Sequence, residues 1–430
     1  MSALKFEVFC TDQGSAARRG RVHTLHGAFD TPAFMPVGTR ASVKGVMPHM
    51  VRHIGAQILL NNTFHLMLRP GEEIIRRLGG VHTFMNWQGP ILTDSGGYQA
   101  YSLAEQNAVD DDGVTFKSIV DGSLVRLGPE RAMQVQNALG PDIMMAFDDC
   151  PPSAAPRAAR GEARERGGEQ DESSEERDDA RLTAAVRRDA GKKGYDHAAR
   201  LRIANERTVR WLERCKAAHA RPHDQSLFGI VQGGTDLEMR SWCAARVANI
   251  ELPGYAIGGV AVGEPFEQIA KVVRHTAPLL PADKPRYLMG VGYERDLLAA
   301  VRSGVDMFDC VLPTRNGRNA NAFTRSGQVR LRNAKYAEDP GPIEPGCDCP
   351  ACLGGFGEAG GQPAVVFSRA YIRHLFMAGE MLGPILVSLH NLRHFQRFMA
   401  DVRETIGSGD WPGLVQRWPV AAPGLAVTVS

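Results

Sequence analysis

Short runs of apolar residues recur along this chain, and most end in Gly or a polar residue. They read A-F-M-P-V (33–37), Q-I-L-L-N-N (57–62), P-I-L-T-D-S-G-G (90–97) and D-I-M-M-A-F-D (142–148). The series continues with L-F-G-I-V-Q-G-G (227–234), Y-A-I-G-G-V (255–260), R-Y-L-M-G-V-G (286–292) and M-F-D-C-V-L-P (307–313). Segments of helical periodicity lie between them, such as P-E-R-A-M-Q-V-Q-N-A-L-G and R-D-L-L-A-A-V-R-S-G. Runs apolar on both faces suit a buried parallel sheet with helical crossovers. Eight such units predict an α/β fold, a closed (β/α)8 TIM barrel. A doubly wound open sheet is the alternative, since periodicity alone does not prove closure.

Three segments interrupt the alternation. G-V-T-F-K-S-I-V-D-G-S-L-V-R-L (113–127) predicts a β-hairpin by its Asp-Gly turn. Residues 156 to about 197 carry dense charge of both signs and few apolar groups. Such a stretch buries too little surface to offset its ordering entropy, which predicts a disordered or loosely helical insertion in a βα loop. The third is a cysteine-rich stretch near the C-terminus. The expected organisation is a barrel over 1–345 with N-terminal antiparallel strands, a metal-binding subdomain over 346–395, and a C-terminal helix and tail over 396–430 that complete the barrel.

A net charge of only +2 means that any nucleic acid must be held by a local basic patch. The N-terminus lacks a signal-peptide core, and no apolar run is long enough to cross a bilayer, so the expectation is a cytoplasmic protein without a membrane partner. Eight scattered or crowded cysteines in such a chain argue for a metal site and unpaired thiols rather than a disulfide framework. Cys347, Cys349 and Cys352 offer three soft thiolates, which predicts a closed structural zinc site, with an iron–sulfur site as the alternative. His374, His390 and His394 are the candidates for a fourth ligand.

Polar residues at the carboxyl ends of the runs mark the edge where α/β folds bind ligands: Asn62, Asp94, Asp148, Gln232, the Gly258–Gly259 pair and Asp309. Asp94 is followed by Ser95, Gly96 and Gly97, a turn that lets backbone approach a flat or anionic ligand, and by Tyr98, a stacking face. The same turn would also serve as a plain helix cap. A carboxylate at Asp148 and an amide at Gln232 match the edge of a purine-like base. Asp94 and Asp309 are paired carboxylates, the usual equipment for cleaving a glycosidic bond. Beside Asp309 lies T-R-N-G-R, whose Arg315 and Arg318 suit phosphate or guanine, or else form a solvated loop.

Taken in order, T-P-A-F-M-P-V-G-T, N-N-T-F-H-L-M-L-R-P-G, D-S-G-G-Y-Q, G-V-T-F-K-S, M-A-F-D-D-C, G-I-V-Q-G-G, G-Y-A-I-G-G-V-A-V-G-E, Y-L-M-G-V-G, M-F-D-C-V-L-P-T-R and S-R-A-Y-I-R-H-L resemble the tRNA-guanine transglycosylases, the queuosine tRNA-ribosyltransferases. The resemblance spans almost the whole chain. It implies a (β/α)8 barrel with a zinc-binding insertion and exchange of a tRNA wobble guanine for a 7-deazaguanine. It makes Asp309 the nucleophile at C1′ of the ribose, Asp94 the general acid/base, and Ser95, Gly96, Gly97, Tyr98, Asp148, Gln232 and Gly259 the base site along with Asp94. The segments Gly290, Val291, Gly292, Tyr293, Glu294, Arg295, Asp296 and Thr314, Arg315, Asn316, Gly317, Arg318 match RNA-contacting loops. His390 becomes the fourth zinc ligand. Cys150 and Val262 match the bacterial type, which takes preQ1, acts on tRNAs with a G-U-N anticodon and is commonly a homodimer. The chain departs from the family in the charged insertion, in the long Cys352-to-His390 spacing, and at Asn61, where a glycine is expected. A non-catalytic RNA-binding subunit is disfavoured by the two aspartates, and a carbohydrate-active glycosidase by the Arg315–Arg318 turn.

Overall fold

The computed structural model describes residues 3–102, 107–152, 196–261, 263–356 and 366–427. The insertion expected at 156–197 lies outside them except at its end, where the Asp196 side chain accepts the Ala199 N–H and caps the helix His197–Ala218. Val262 also lies outside the described residues.

All eight apolar runs enter one parallel sheet, whose strands are Ala33–Met35, Val37–Gly38, Leu59–Asn61, Ile91–Thr93, Ile143–Met145, Ser226–Val231, Gly254–Ile257, Arg286–Leu288 and Met307–Asp309. The first run supplies two of these strands because Pro36 has no N–H to give the ladder. Ala33–Met35 pairs with Met307–Asp309, while Val37–Gly38 pairs with Leu59–Asn61. One run thus holds both the last strand and the second, and the sheet closes into a barrel. Where sequence extends the last strand to residue 313 and follows it with a turn, the strand stops at Asp309. Leu312–Arg318 is a short helix with Pro313 in its first turn.

Alternate strand residues face opposite sides. Leu60, Leu92, Ile143, Met145, Phe228, Ile230 and Tyr287 fill the barrel, and Leu59, Ile91, Met144 and Leu227 pack outward on the helices. Gly254 is required by the first set, since a Cβ there would lie 2.2 Å from the Phe228 ring. The N-terminal antiparallel sheet of Lys5–Thr11, Arg18–Thr24 and Gly27–Thr31 adds Leu4, Val22 and Phe29 to the same interior cluster. Asp142, just before strand Ile143–Met145, accepts from His26 Nδ1 at 2.9 Å, His82 Nε2 at 3.0 Å and the Ile91 N–H at 2.9 Å. These bonds tie the hairpin turn and a helix to the amino-terminal end of the strands, so the opposite end is left for a ligand. The two imidazoles stack 3.6 Å apart at 15°, so no single ion could sit in both ring planes, and hydrogen bonding accounts for the cluster.

The predicted hairpin forms from Gly113–Lys117 and Leu124–Leu127, with Gly122 at φ +75°, and a third strand, Asn107–Asp110, joins it. Asn61 has a structural role. It is fully buried, and with its amide oriented to satisfy both neighbours its nitrogen donates to Gly38 O at 2.6 Å. A Cβ on Gly38 would meet that amide at 2.7 Å. The pair stitches adjacent strands where the ladder is short. Near the C-terminus, Leu382–Ser408 is one helix, unbroken across 395/396. Phe395 stacks on Phe34 at 4.8 Å, and Gln396 donates to the Phe34 carbonyl at 3.0 Å.

Candidate active site

A cavity of about 650 Å³ opens at the carboxyl ends of the barrel strands. Asp94 and Asp309 both line it. Asp94 follows strand Ile91–Thr93, and its buried carboxylate accepts from the Thr63 N–H at 2.8 Å, from Gln99 Nε2 at 2.8 Å and from the Asn62 amide. Burial pushes the Asp94 carboxyl up to about 6 against these donors, and the charge of Asp309 adds to the rise. A carboxyl poised there can both give and take a proton near neutral pH.

Asp309 ends strand Met307–Asp309. Tyr287 OH donates to its Oδ1 at 2.6 Å and the Gly290 N–H at 2.8 Å, and Oδ2 receives neither. Burial raises the Asp309 carboxyl and these donors restrain the rise, while burial beside Asp309 drives the Tyr287 phenol well above its ordinary range. Tyr287 therefore stays protonated and keeps Asp309 in one orientation. Tyr287 is not apparent from the sequence because it stands inside an apolar run; its position one residue before the end of strand Arg286–Leu288 is the available signal.

Asp148 and its neighbour Asp149 point to different tasks. Asp149 is pinned by Arg200 at 2.5 Å and Arg207 at 2.6 Å. Asp148 lines the cavity, where its Oδ2 accepts from Gln232 Nε2 at 2.6 Å and its Oδ1 from Ser95 at 3.5 Å. Burial pushes the Asp148 carboxyl up to about 7, with the charge of Asp149 adding and Gln232 opposing. An unfolded aspartate titrates near 3.9, so the folded chain binds the extra proton and loses stability as pH rises from about 4 to about 7. Asp148→Asn keeps an acceptor for Gln232, and its amide N–H can reverse the Ser95 contact by donating to the hydroxyl oxygen. In thermal melts it is expected to gain on the wild type across that window, reaching on the order of 2 kcal/mol. A difference that is the same at pH 4 and pH 8 would contradict the assignment.

Gln232 is seated by absence of side chains. A Cβ on Gly259, at φ +62°, would lie 2.1 Å from Gln232 Oε1, and one on Gly258 would lie 2.9 Å from its Nε2. Beneath them lies Arg240, fully buried, whose guanidinium donates to the carbonyls of Val231 (3.0 Å), Gly234 (2.9 Å), Gly258 (2.7 Å) and Gly259 (3.1 Å). Sequence reading missed this clamp as well. An arginine on the apolar face of helix Leu237–Ala248 was the sign of it.

The other predicted residues separate by position. Ser95, Tyr98, Gly259, Cys150, Gly290, Val291, Gly292, Tyr293, Arg295, Asp296 and Arg315 line the cavity, joined by Met289 and Glu264, which the sequence reading did not single out. Gly96 and Gly97 lie behind the wall: a Cβ on either would press at 3.1 Å on Phe64 N or Asp148 O. Of the paired arginines, Arg315 reaches the cavity and Arg318 does not line it. Thr314 is buried, Asn316 is half-buried, and Gly317 packs on Ser388, whose N would be 2.7 Å from a Cβ. Glu294 turns inward onto His394 at 2.5 Å and does not line the cavity.

Apart from this cavity, Cys347, Cys349, Cys352 and His390 form a buried group that could hold a metal ion. The three sulfurs lie 3.6, 3.4 and 3.5 Å from His390 Nδ1, which matches the edges of about 3.6 Å expected of a tetrahedron around zinc. His390 Nε2 donates to Phe323 O at 2.7 Å, which fixes the ring and leaves Nδ1 for the metal. His394 is engaged by Glu294, and His374 is not part of the group. Among the described residues, no helix is long and apolar enough to cross a membrane.

The family model for queuine tRNA-ribosyltransferase matches residues 12–186 and 189–423. A queuine tRNA-ribosyltransferase of Thermus thermophilus is 47% identical over 409 residues, 95% of this chain and 92% of the relative. Those of Symbiobacterium thermophilum and Synechococcus elongatus are 45% and 44% identical over 97% and 98% of this chain, and 92% and 97% of their own lengths. With a closed barrel, paired carboxylates at its mouth and matches over nearly its full length, the chain belongs to the queuine tRNA-ribosyltransferase family.

Proposed function

We propose that this chain exchanges the wobble guanine of tRNAs with a G-U-N anticodon for preQ1 through a covalent enzyme–RNA intermediate. As a family member it is a tRNA-guanine transglycosylase of queuosine biosynthesis. The observation that carries the detailed reading is the contrast at one cavity: Asp94 poised to titrate near neutral pH, and Asp309 held by two donors on one oxygen.

Asp309 Oδ2 attacks C1′ of the ribose as the bond to guanine breaks, and Asp94 gives its proton to the departing base. PreQ1 then loses a proton to Asp94 and attacks C1′, which releases Asp309 as a carboxylate. Bonds and protons balance, and no redox or nucleotide cofactor is needed. The ionised Asp148 accepts two N–H groups from the base edge, Gln232 supplies a donor and an acceptor, Gly259 leaves room for both, and Tyr98 stacks on the ring. The segments 290–296 and 314–318 carry the RNA, with Arg315 lining the same cavity as Asp309. Incubation of unmodified G-U-N tRNA with labelled preQ1, guanine or queuine tests the exchange. Incorporation of preQ1 and guanine is expected, and failure to incorporate any base would refute it.

Zinc fits the Cys347, Cys349, Cys352 and His390 group, since three thiolates and an imidazole complete a closed tetrahedron with no place for water. Its role is then to order a small core of Ala320, Ala322, Leu331, Ile343, Ile372 and Leu375 around the cysteines. Chelation of the purified protein is expected to release one zinc per chain, lower the melting temperature and expose the three thiols to alkylation. A melting curve unmoved by complete metal release would contradict a structural zinc. We further assign a cytoplasmic homodimer. None of the eight cysteines is in a disulfide, as a reducing compartment requires, and exposed Met377, Met381 and Leu382 offer apolar surface for a second copy.

A further inference from the structure

Glu294 lies within a predicted RNA-contacting loop, yet its carboxylate is buried and meets His394 at 2.5 Å. His394 is also fully enclosed. Its ring is packed edge-on to Phe395 at 5.2 Å and Trp418 at 5.0 Å and tilted against Phe323 at 5.9 Å, and its Nδ1 has no hydrogen-bond partner among the described residues. Nε2–H to Glu294 is thus the polar tie of this side chain.

His394 stands four residues after the metal-site ligand His390, on the same face of helix Leu382–Ser408. Between them, Asn391 accepts the Phe323 N–H at 2.9 Å and donates to Pro313 O at 2.9 Å and Asn321 O at 3.0 Å. Pro313 leads directly into 314–318, and Gly317 packs against Ser388 of the same helix. One helical face therefore holds the metal site at His390, one RNA segment through Asn391 and Ser388, and the other through His394 and Glu294. Phe323 closes the set, since its carbonyl takes the His390 Nε2–H and its ring lies 6.3 Å from Tyr293.

We infer that this face is the brace that sets the tRNA grip, with His394, Glu294 and Asn391 as positioning residues that relay the order of the metal site to both RNA-contacting segments. The inference rests on the tRNA-exchange reading and deepens it. Glu294 acts from inside the protein, by fixing where Tyr293 and Arg295 stand. Neither member of the Glu294–His394 pair lines the cavity, and the base-edge residues Asp148 and Gln232 hold each other through a separate contact, so loss of the pair weakens tRNA binding far more than binding of the free base.

The test compares Glu294→Ala and His394→Phe with wild type, all loaded with metal and checked for metal content and melting temperature. KM for tRNA is expected to rise about tenfold, equivalent to about 1.4 kcal/mol of lost RNA contact. KM for free guanine and kcat are expected to change by less than about twofold, the split that a general loosening would not produce. Glu294→Gln keeps an acceptor for His394 and should recover most of the loss. If His394→Phe does not fold, Glu294→Ala and Glu294→Gln carry the comparison. An unchanged KM for tRNA in Glu294→Ala, or equal losses for tRNA and guanine, would overturn the inference. Should the wild type itself exchange no base, the exchange reading fails. Gel-shift affinity for tRNA then decides this one: a loss of about tenfold in Glu294→Ala supports the brace and no change overturns it.

Discussion

Asp309→Asn is expected to abolish exchange of labelled guanine into tRNA, lowering turnover by on the order of 10⁴-fold or more. The size follows from the role. A carboxylate that forms the covalent bond has no substitute in an amide, whose oxygen is a far weaker nucleophile and whose nitrogen carries no free pair for attack. The substitution is a clean one structurally, because an asparagine oxygen can still accept from Tyr287 OH and the Gly290 N–H. Loss of activity with an unchanged melting curve therefore reports chemistry rather than folding. The activity assay is paired with trapping: wild type incubated with tRNA should retain RNA on a denaturing gel, and Asp309→Asn should not.

Asp94→Asn is expected to slow both half-reactions, by on the order of 10²–10⁴-fold, and to remove the opposite pH dependences that Asp94 gives them. The signs differ between the two. In the proposed mechanism guanine leaves with a proton from Asp94, so formation of the covalent intermediate is expected to slow as pH rises through about 6, where Asp94 ionises. Attack by preQ1 needs Asp94 to accept a proton, so that step speeds up over the same interval. Single-turnover rates for each half-reaction, measured across pH 5 to pH 8, should have opposite slopes in wild type and a common slope in Asp94→Asn, where only the ionisation of Asp148 that holds the base still changes over that range. Parallel slopes would assign the proton traffic to another group.

The barrel was legible in sequence because its strands are buried on both faces and read as continuous apolar runs. Closure was expected from the eight units, but the way it is made was hidden, since it depends on how Pro36 splits a single run between two partners, one of them at Met307–Asp309. The strand-end residues Asp94, Asp148, Gln232 and Asp309 were legible because polar groups at the ends of apolar runs stand out. Their supports did not. Tyr287 sits in an apolar run and passes for core, and Arg240 is satisfied by carbonyls up to 19 residues away. Glu294 shows the opposite error: its place in a segment expected to be an RNA-contacting loop suggested RNA, while it opens helix Glu294–Arg302 and its partner His394 lies 100 residues on. Spacing alone left three histidines open as the fourth metal ligand, and packing separates them by giving His394 to Glu294 and His390 to the cysteines.

The central claim is that one carboxylate at the barrel mouth holds the RNA covalently while bases exchange. Proteolysis and mass spectrometry of the wild-type enzyme trapped with a G-U-N anticodon stem-loop test it most directly. The account predicts a ribose adduct on the peptide containing Asp309, absent from Asp309→Asn and discharged by added preQ1. An adduct mapped to Asp94 or elsewhere, or efficient exchange by Asp309→Asn, would contradict it.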